Sequence, residues 1–307
     1  MFQINTFDLY QILIYAFAWT TLYFVLCLCN SRRSYEWHCR MVTVVHATLI
    51  SSLAIYSTFF HGPWPFSDSG GPNTSLQVKT VSLCLGYFIF DFCWCMYFKT
   101  EGPVMVAHHF LSIVGLTWCL IAGYYGTELV CTIGGAEITN PLLQLRWFLR
   151  ETGHYRGTIW GHLVDWAFML SFGFIRIVLG SILLYSYYQQ STDFWGRLGG
   201  TTIYSIGWIF FINILNYAFR KYMRIYKDWV KSKKGLVRNG DLRKDSNHLT
   251  SNGGAQSDLV LSSSNGKDGG VAVIPEREIP SQREIKNGVT PLTPRESLVV
   301  RDCPGES

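Results

Sequence analysis

Over the first three quarters of the chain, apolar positions run together in stretches of membrane length, and polar positions fall between them in short clusters. About 20 apolar residues in a helix cover roughly 30 Å of hydrocarbon. The pattern therefore predicts bilayer-crossing helices over 10–29, 41–60, 78–98, 104–124, 129–149, 161–188 and 201–222. The fifth stretch is the least regular, because Glu137-Ile-Thr-Asn140-Pro141 interrupts it and Gly134-Gly135 lies just upstream. Pro141 removes a backbone donor and leaves the carbonyl near Glu137 without its usual partner, which predicts a loosened turn there. The fold class expected is all-α: a polytopic membrane helix bundle of about seven transmembrane helices, or six if the fifth segment is re-entrant.

Residues 1–29 carry the first helix, 30–231 the main bundle and 232–307 a tail. The first span has no basic leader and no small-residue cleavage site, so a retained helix is expected there. The whole-chain averages, 49% hydrophobic and 15% charged over 307 residues, understate the greasiness of the bundle because the tail is polar. From about Gly235 onward Ser, Asn, Gly, Lys and Asp follow one another without apolar periodicity, which predicts a disordered cytosolic tail.

Charge orients the bundle. Arg32, Arg33 and Arg40 flank the first loop, Arg146, Arg150 and Arg156 the loop after the fifth span, and Arg220 to Lys234 is strongly basic. The positive-inside rule assigns all three regions to the cytosol. The loop 61–77 has no basic residue and contains Asn73-Thr-Ser75, an N-glycosylation acceptor pattern that needs a lumenal or exterior position. Both signals expect the amino terminus lumenal or exterior and the carboxyl terminus cytosolic. Cysteines lie mostly in or beside the spans, so lumenal disulfides are not expected, and Cys93-Trp-Cys95 has the wrong spacing for a redox or zinc motif.

Polar side chains inside the spans carry the chemistry. A charged group at mid-helix costs roughly 2.5 to 3.5 kcal/mol without a partner, so several of them on neighbouring helices argue for a shared polar chamber. Asp91 lies about 10 Å from the cytosolic end of the third span, and His108 and His109 about 6 to 8 Å in on the fourth, at 1.5 Å per residue. Glu137, Asn140 and Gln144 are spaced i, i+3, i+7 on one helix face. Asp165 enters near the start of the sixth span, with Arg176 about 16 Å further along. Arg176 is too far from Asp165 to pair with it but could pair with Glu137 or Asp91 from neighbouring helices; such pairs, like Asp91 and Asp165 themselves, suit packing as well as function. Imidazole serves as general base or as acyl-transfer nucleophile. Metal chemistry is not expected, because di-iron lipid enzymes use many more histidines in repeated boxes.

His108-His109-Phe-Leu-Ser112, the span containing Glu137-Ile-Thr-Asn140-Pro-Leu-Leu-Gln144-Leu-Arg146, and Arg33-Ser-Tyr-Glu-Trp37 resemble the TLC-domain family, shared by the translocation-associated membrane protein, the Lag ceramide synthases and the Batten-disease membrane protein. The resemblance covers 30–231. It implies that His108 and His109 match the His-His pair of the ceramide synthases, which join an acyl chain from coenzyme A to a sphingoid amine. Glu137 stands where their first aspartate would be and Asn140 where their second would be. Loss of that second carboxylate removes one group for charging the imidazole.

The resemblance implies lipid binding or regulation of membrane lipid composition first. An acyl-CoA-dependent N-acyltransferase is the alternative, with His108 or His109 acting beside Glu137, and Asp91, Ser112, Gln144, Arg146, Asp165 and Arg176 lining the pocket. No cofactor is expected beyond acyl-CoA as co-substrate of that alternative. Membrane lipids are the expected partners, nucleic acid is not, and protein partners are unknown. The endoplasmic reticulum is preferred by family likeness, ahead of the plasma membrane. A seven-helix receptor would need an acidic-Arg-aromatic triplet after the third span and a late Asn-Pro motif, and the chain has neither.

Overall fold

A computed structural model describes residues 6–251, with side chains over 9–234, and every regular element among them is helical. The order is α1 (Thr6–Cys29), α2 (Tyr35–Tyr56), α3 (Ser75–Phe98), α4 (Pro103–Ala122), α5 (Gly126–Glu137), α6 (Asn140–Glu151), α7 (Ile159–Phe172), α8 (Gly180–Gln189) and α9 (Phe194–Ser251). A π-helical turn, Ser57–His61, extends α2, and a second, Gly173–Leu179, joins α7 to α8. Two compact units divide the chain, Met1–Lys221 and Tyr222–Ser307. The bundle described below belongs to the first; the described part of the second is helical to Ser251. The expected disordered tail falls, for 252–307, outside the described residues.

Six helical stretches among the described residues are long and apolar enough to cross a membrane: Leu9–Cys29, Tyr35–His61, Ser75–Phe98, Pro103–Ala122, Ile159–Gln189 and Phe194–Lys234. The fifth predicted span is instead two half-helices, α5 and α6, separated at Ile138 and Thr139. Pro141 sits in the first turn of α6, where its missing N–H costs nothing. The two halves follow α2 along its whole length. A Cβ on Gly134 would lie 2.5 Å from the Ala54 Cβ, Glu137 faces His46, Gln144 faces Arg40, and the Phe148 ring lies 4.5 Å from that of Trp37. The segment thus runs antiparallel to α2 from end to end and does not double back.

The core forms around α3. Its Gly86 lets the backbone of α1 approach so closely that a Cβ there would lie 2.8 Å from the Ala16 nitrogen, a small-residue contact of the kind that packs helices in lipid. Val81, Cys84 and Leu85 are buried beside Val42 and Ile50 of α2. α3 begins with a reciprocal cap in which the Thr74 hydroxyl accepts from the Gln77 N–H and Gln77 Oε1 accepts from the Thr74 N–H. It ends at Lys99 in the left-handed region, φ 52°. The outer surface is apolar, with Phe17, Leu28, Trp160 and Phe219 all exposed, as lipid-facing positions require.

Basic side chains gather at one end of this unit, where Arg40, Arg146, Arg150 and Lys221 meet acidic and phenolic partners. The opposite end is built from the 61–77 loop. There Asn73 clasps the α4–α5 turn: its backbone N–H donates to Gly123 O at 2.9 Å, Nδ2 donates to Cys119 O at 3.0 Å, and Oδ1 accepts from the Gly126 N–H at 2.7 Å. The amide nitrogen that would carry a glycan therefore serves as an internal donor.

Candidate functional site

The break between α5 and α6 organises the site. A helix end leaves carbonyls without intrahelical partners and carries partial negative charge. Here the Ala136 carbonyl accepts from Arg176 Nη2 at 2.8 Å and from the Thr139 hydroxyl at 3.0 Å. Arg176 reaches it because it lies on the π-helical turn Gly173–Leu179, a wide turn of the type that recurs at functional positions. A guanidinium at a helix C-terminus is electrostatically matched, so Arg176 closes one half-helix across the bundle.

Glu137 lies at the same break and is 4% exposed. Asn140 Nδ2 donates to its Oε2 at 2.7 Å, and His46 Nδ1 of α2 stands 3.6 Å from that oxygen, an ion-pair distance beyond hydrogen-bond reach. His46 is fully buried and stacks on the Tyr87 ring at 3.6 Å. Tyr87 in turn donates to the Thr43 hydroxyl at 3.0 Å. His46 is therefore the imidazole within ion-pair distance of Glu137, a partner the expected pairing with His108 or His109 did not include.

His109 instead faces Asp91. Its Nε2 lies 3.5 Å from Asp91 Oδ2, and the Cys39 thiol donates to Asp91 Oδ1 at 3.5 Å. The carboxylate of Asp91, the Cys95 sulfur and a ring nitrogen of His109 all lie within 4.8 Å of one another, and all three residues are buried. His108 points a different way, its ring edge-on to Phe210 of α9 at 5.4 Å. The two rings diverge because neighbouring positions on a helix are about 100° apart.

The third cluster sits at the basic end. Asp165 Oδ1 accepts from Arg146 Nε at 2.6 Å and Oδ2 from Lys221 Nζ at 2.5 Å, while the Tyr155 hydroxyl contributes contacts of 2.8 and 2.7 Å. Three donors, from α6, the loop before α7 and α9, converge on this one carboxylate of α7. Tyr155, in the loop before α7, has its phenol pKa raised by burial and by its bonds to Tyr217 and Asp165, so it remains protonated.

All three clusters line one cavity of about 410 Å³, inside the usual range for ligand sites. Its lining runs from Glu36, Glu101 and Arg150 at the basic end to Tyr87, Phe172 and Arg176. Polar groups occupy its walls, and Phe88, Leu143, Phe168, Phe210 and Ile214 supply apolar surface. Of the residues singled out from sequence, Asp91, His108, His109, Glu137, Asn140, Gln144, Arg146, Asp165 and Arg176 border this space. Ser112 does not: it is buried on α4, one turn beyond His108 and His109 and away from the cavity wall. Asn73 lies at the far end of the unit.

Sequence reasoning missed His46, Cys39, Arg40 and Tyr155. A lone histidine or cysteine in an apolar run has no pattern around it, whereas Arg40 reads as an ordinary positive-inside residue although it bonds Gln144 Oε1 at 3.1 Å and Glu36 at 2.7 Å.

Fold and site together define a polytopic helical membrane protein in which the α5–α6 break lies beside a cavity lined by charged and polar side chains. A scan against protein-family models matches the TLC domain over residues 36–223. The chain belongs to the TLC-domain family.

Proposed function

We propose that the chamber binds a membrane lipid and that the protein acts on membrane lipid composition. The observation that carries this reading is the cavity itself, whose charged and polar side chains alternate with apolar wall from Phe88, Leu143, Phe168, Phe210 and Ile214, a lining that suits a lipid headgroup joined to an acyl chain. Basic residues at its mouth suit a site open to the cytosolic face, with the amino terminus lumenal or exterior. The words Gly62-Pro-Trp64-Pro-Phe66, Gly86-Tyr-Phe-Ile-Phe-Asp91 and Leu145-Arg146-Trp-Phe-Leu-Arg-Glu-Thr-Gly-His154 resemble the family member called TLC domain-containing protein five, also called transmembrane protein 136. Family likeness favours the endoplasmic reticulum. The test is lipid retention: native mass spectrometry of the purified full chain should detect a bound lipid. Leu143→Trp and Ile214→Trp, which fill the cavity, should expel it, and equal retention in both variants would overturn the reading.

A second reading rests on the contact of His109 with Asp91. As an acyl-CoA-dependent N-acyltransferase, the site would use His108 or His109 to take the proton of a long-chain amine as its nitrogen attacks the thioester carbon. The amide bond would form as the carbon–sulfur bond breaks, with coenzyme A leaving as the thiol. Asp91 would then orient His109, the part first expected of Glu137. Labelled acyl-CoA would be supplied with sphinganine or phosphatidylethanolamine to the protein in lipid, beside a His108→Ala, His109→Ala double variant. Turnover abolished in that variant supports catalysis, and equal background in both excludes it.

A further inference from the structure

We propose that Asp91, Cys95 and His109, with Cys39 beside them, form a binding site for one thiophilic divalent metal ion of the zinc class. The site lies in the chamber wall: it is compatible with the lipid-binding reading and competes with the acyl-transfer reading for His109 and Asp91.

The geometry comes first. Asp91 and Cys95 are i, i+4 on α3, so both side chains leave the same helix face one turn apart. His109 approaches from α4, and the donor atoms of these three residues lie within 4.8 Å of one another. Cys39 of α2, whose sulfur is 3.5 Å from Asp91 Oδ1, stands beside these three and offers a further donor from a third helix. Tetrahedral zinc holds sulfur at about 2.3 Å and nitrogen or oxygen at about 2.0 to 2.2 Å.

The donor chemistry selects the metal. Two thiols, one imidazole and one carboxylate suit zinc, whereas calcium and magnesium take oxygen donors. Di-iron lipid enzymes need many histidines and carboxylates, which this cluster lacks. The Cys93-Trp-Cys95 spacing is no motif, and the site does not use it: Cys93 is exposed and only Cys95 takes part.

The second observation is how poorly these groups satisfy one another. Asp91 is buried, yet its partners are an imidazole at 3.5 Å and a thiol at 3.5 Å, the latter a weak donor. His109 is 7% exposed, and its Nδ1 finds no hydrogen-bond partner among the described residues. A buried carboxylate is ordinarily paired closely, and a dication meets that need where the protein's own groups do not. Binding would take the two thiols to thiolates, releasing their two protons as two metal–sulfur bonds form. All four residues border the cavity, which gives ion and protons a path to the basic end.

The test uses the full-length chain without a polyhistidine tag, stripped with chelator and titrated with cobalt. We expect about one cobalt per chain, with a thiolate charge-transfer band and the strong visible bands of tetrahedral cobalt, both removed by zinc. Cys95→Ser and His109→Ala should lose the charge-transfer band or the tetrahedral pattern and weaken binding at least about tenfold. Cys93→Ser, on the exposed face, should leave both unchanged. Should the variants fail to fold, X-ray absorption of the zinc-loaded wild-type chain decides: the zinc edge should show sulfur neighbours at about 2.3 Å beside nitrogen or oxygen at about 2.0 to 2.2 Å. Occupancy well below one ion per chain, spectra equal in wild type and Cys95→Ser, or a zinc shell without sulfur would each overturn the site.

Discussion

Two buried carboxylates bordering the same cavity are held in opposite ways. Asp165 receives Arg146, Lys221 and Tyr155 at 2.5 to 2.8 Å, so both of its oxygens are saturated by donors from separate elements. Asp91 has an imidazole and a thiol, each at 3.5 Å. Removing water from a carboxylate costs several kcal/mol, and only close, charged donors offset it. A saturated carboxylate is therefore a structural staple with nothing left to offer a ligand. An undersupplied one keeps capacity for something that enters.

The largest effect should follow from breaking the staple. Asp165→Ala leaves Arg146 and Lys221 facing each other in a half-buried space, and we expect a loss of about 3 to 5 kcal/mol. Thermal unfolding of the purified chain in lipid nanodiscs would read this as a large fall in melting temperature. A shift no bigger than that of an exposed-face variant would show that the cluster is ornamental.

Next comes the break itself. Arg176→Met keeps much of the volume but strips the Ala136 carbonyl of its charged donor and leaves Glu137 with a cation fewer nearby. A hydrogen bond to a charged group contributes about 1.5 to 3 kcal/mol, which sets the expected loss. Hydrogen exchange should rise at the α5–α6 junction before it rises elsewhere. Uniform protection there would mean that Thr139 alone closes the half-helix.

How much of this could be read from the chain follows the same division. Membrane-length apolar runs give six of the crossings directly, because hydrocarbon admits little else. Pro141, with Gly134 and Gly135 upstream, marks the weak point of the fifth, and the break falls at Ile138 and Thr139. Charged residues in apolar runs stand out by cost, so Asp91, Glu137, Asp165 and Arg176 are visible in sequence as a set. Their partners are not, since pairing depends on helix rotation. Sequence pairs Glu137 with His108 or His109, whereas rotation of α2 and α4 gives Glu137 to His46 and His109 to Asp91. The π-helical turn that aims Arg176 has no sequence signature beyond Gly173 and Gly180 at its ends.

Asp91 sharpens the comparison by its small expected effect. Asp91→Asn exchanges a poorly paired carboxylate for a neutral amide of the same shape, and without bound metal the stability should change by no more than about 1 kcal/mol. The same measurement on Asp165→Asn should give a clearly larger loss. Equal losses would erase the distinction between staple and open carboxylate.

The smallest effect, and the finest probe, is at the basic end of the chamber. Glu101, in the turn between α3 and α4, has its carboxyl pKa raised from 4.5, first by burial and then by the charges of Asp91 and Glu36; Arg40, 3.6 Å away, opposes the rise. A carboxyl whose folded pKa is raised contributes stability below its unfolded pKa and loses it as pH rises through the folded value. At neutral pH the ionised Glu101 is therefore a burden. Glu101→Gln should be slightly more stable than wild type at pH 7, by less than about 1 kcal/mol, and should lose that advantage below pH 4.5. Because part of the burden is repulsion from Asp91, the gain should shrink in an Asp91→Asn background. Full additivity in that double-mutant cycle would mean that the two carboxylates do not sense each other.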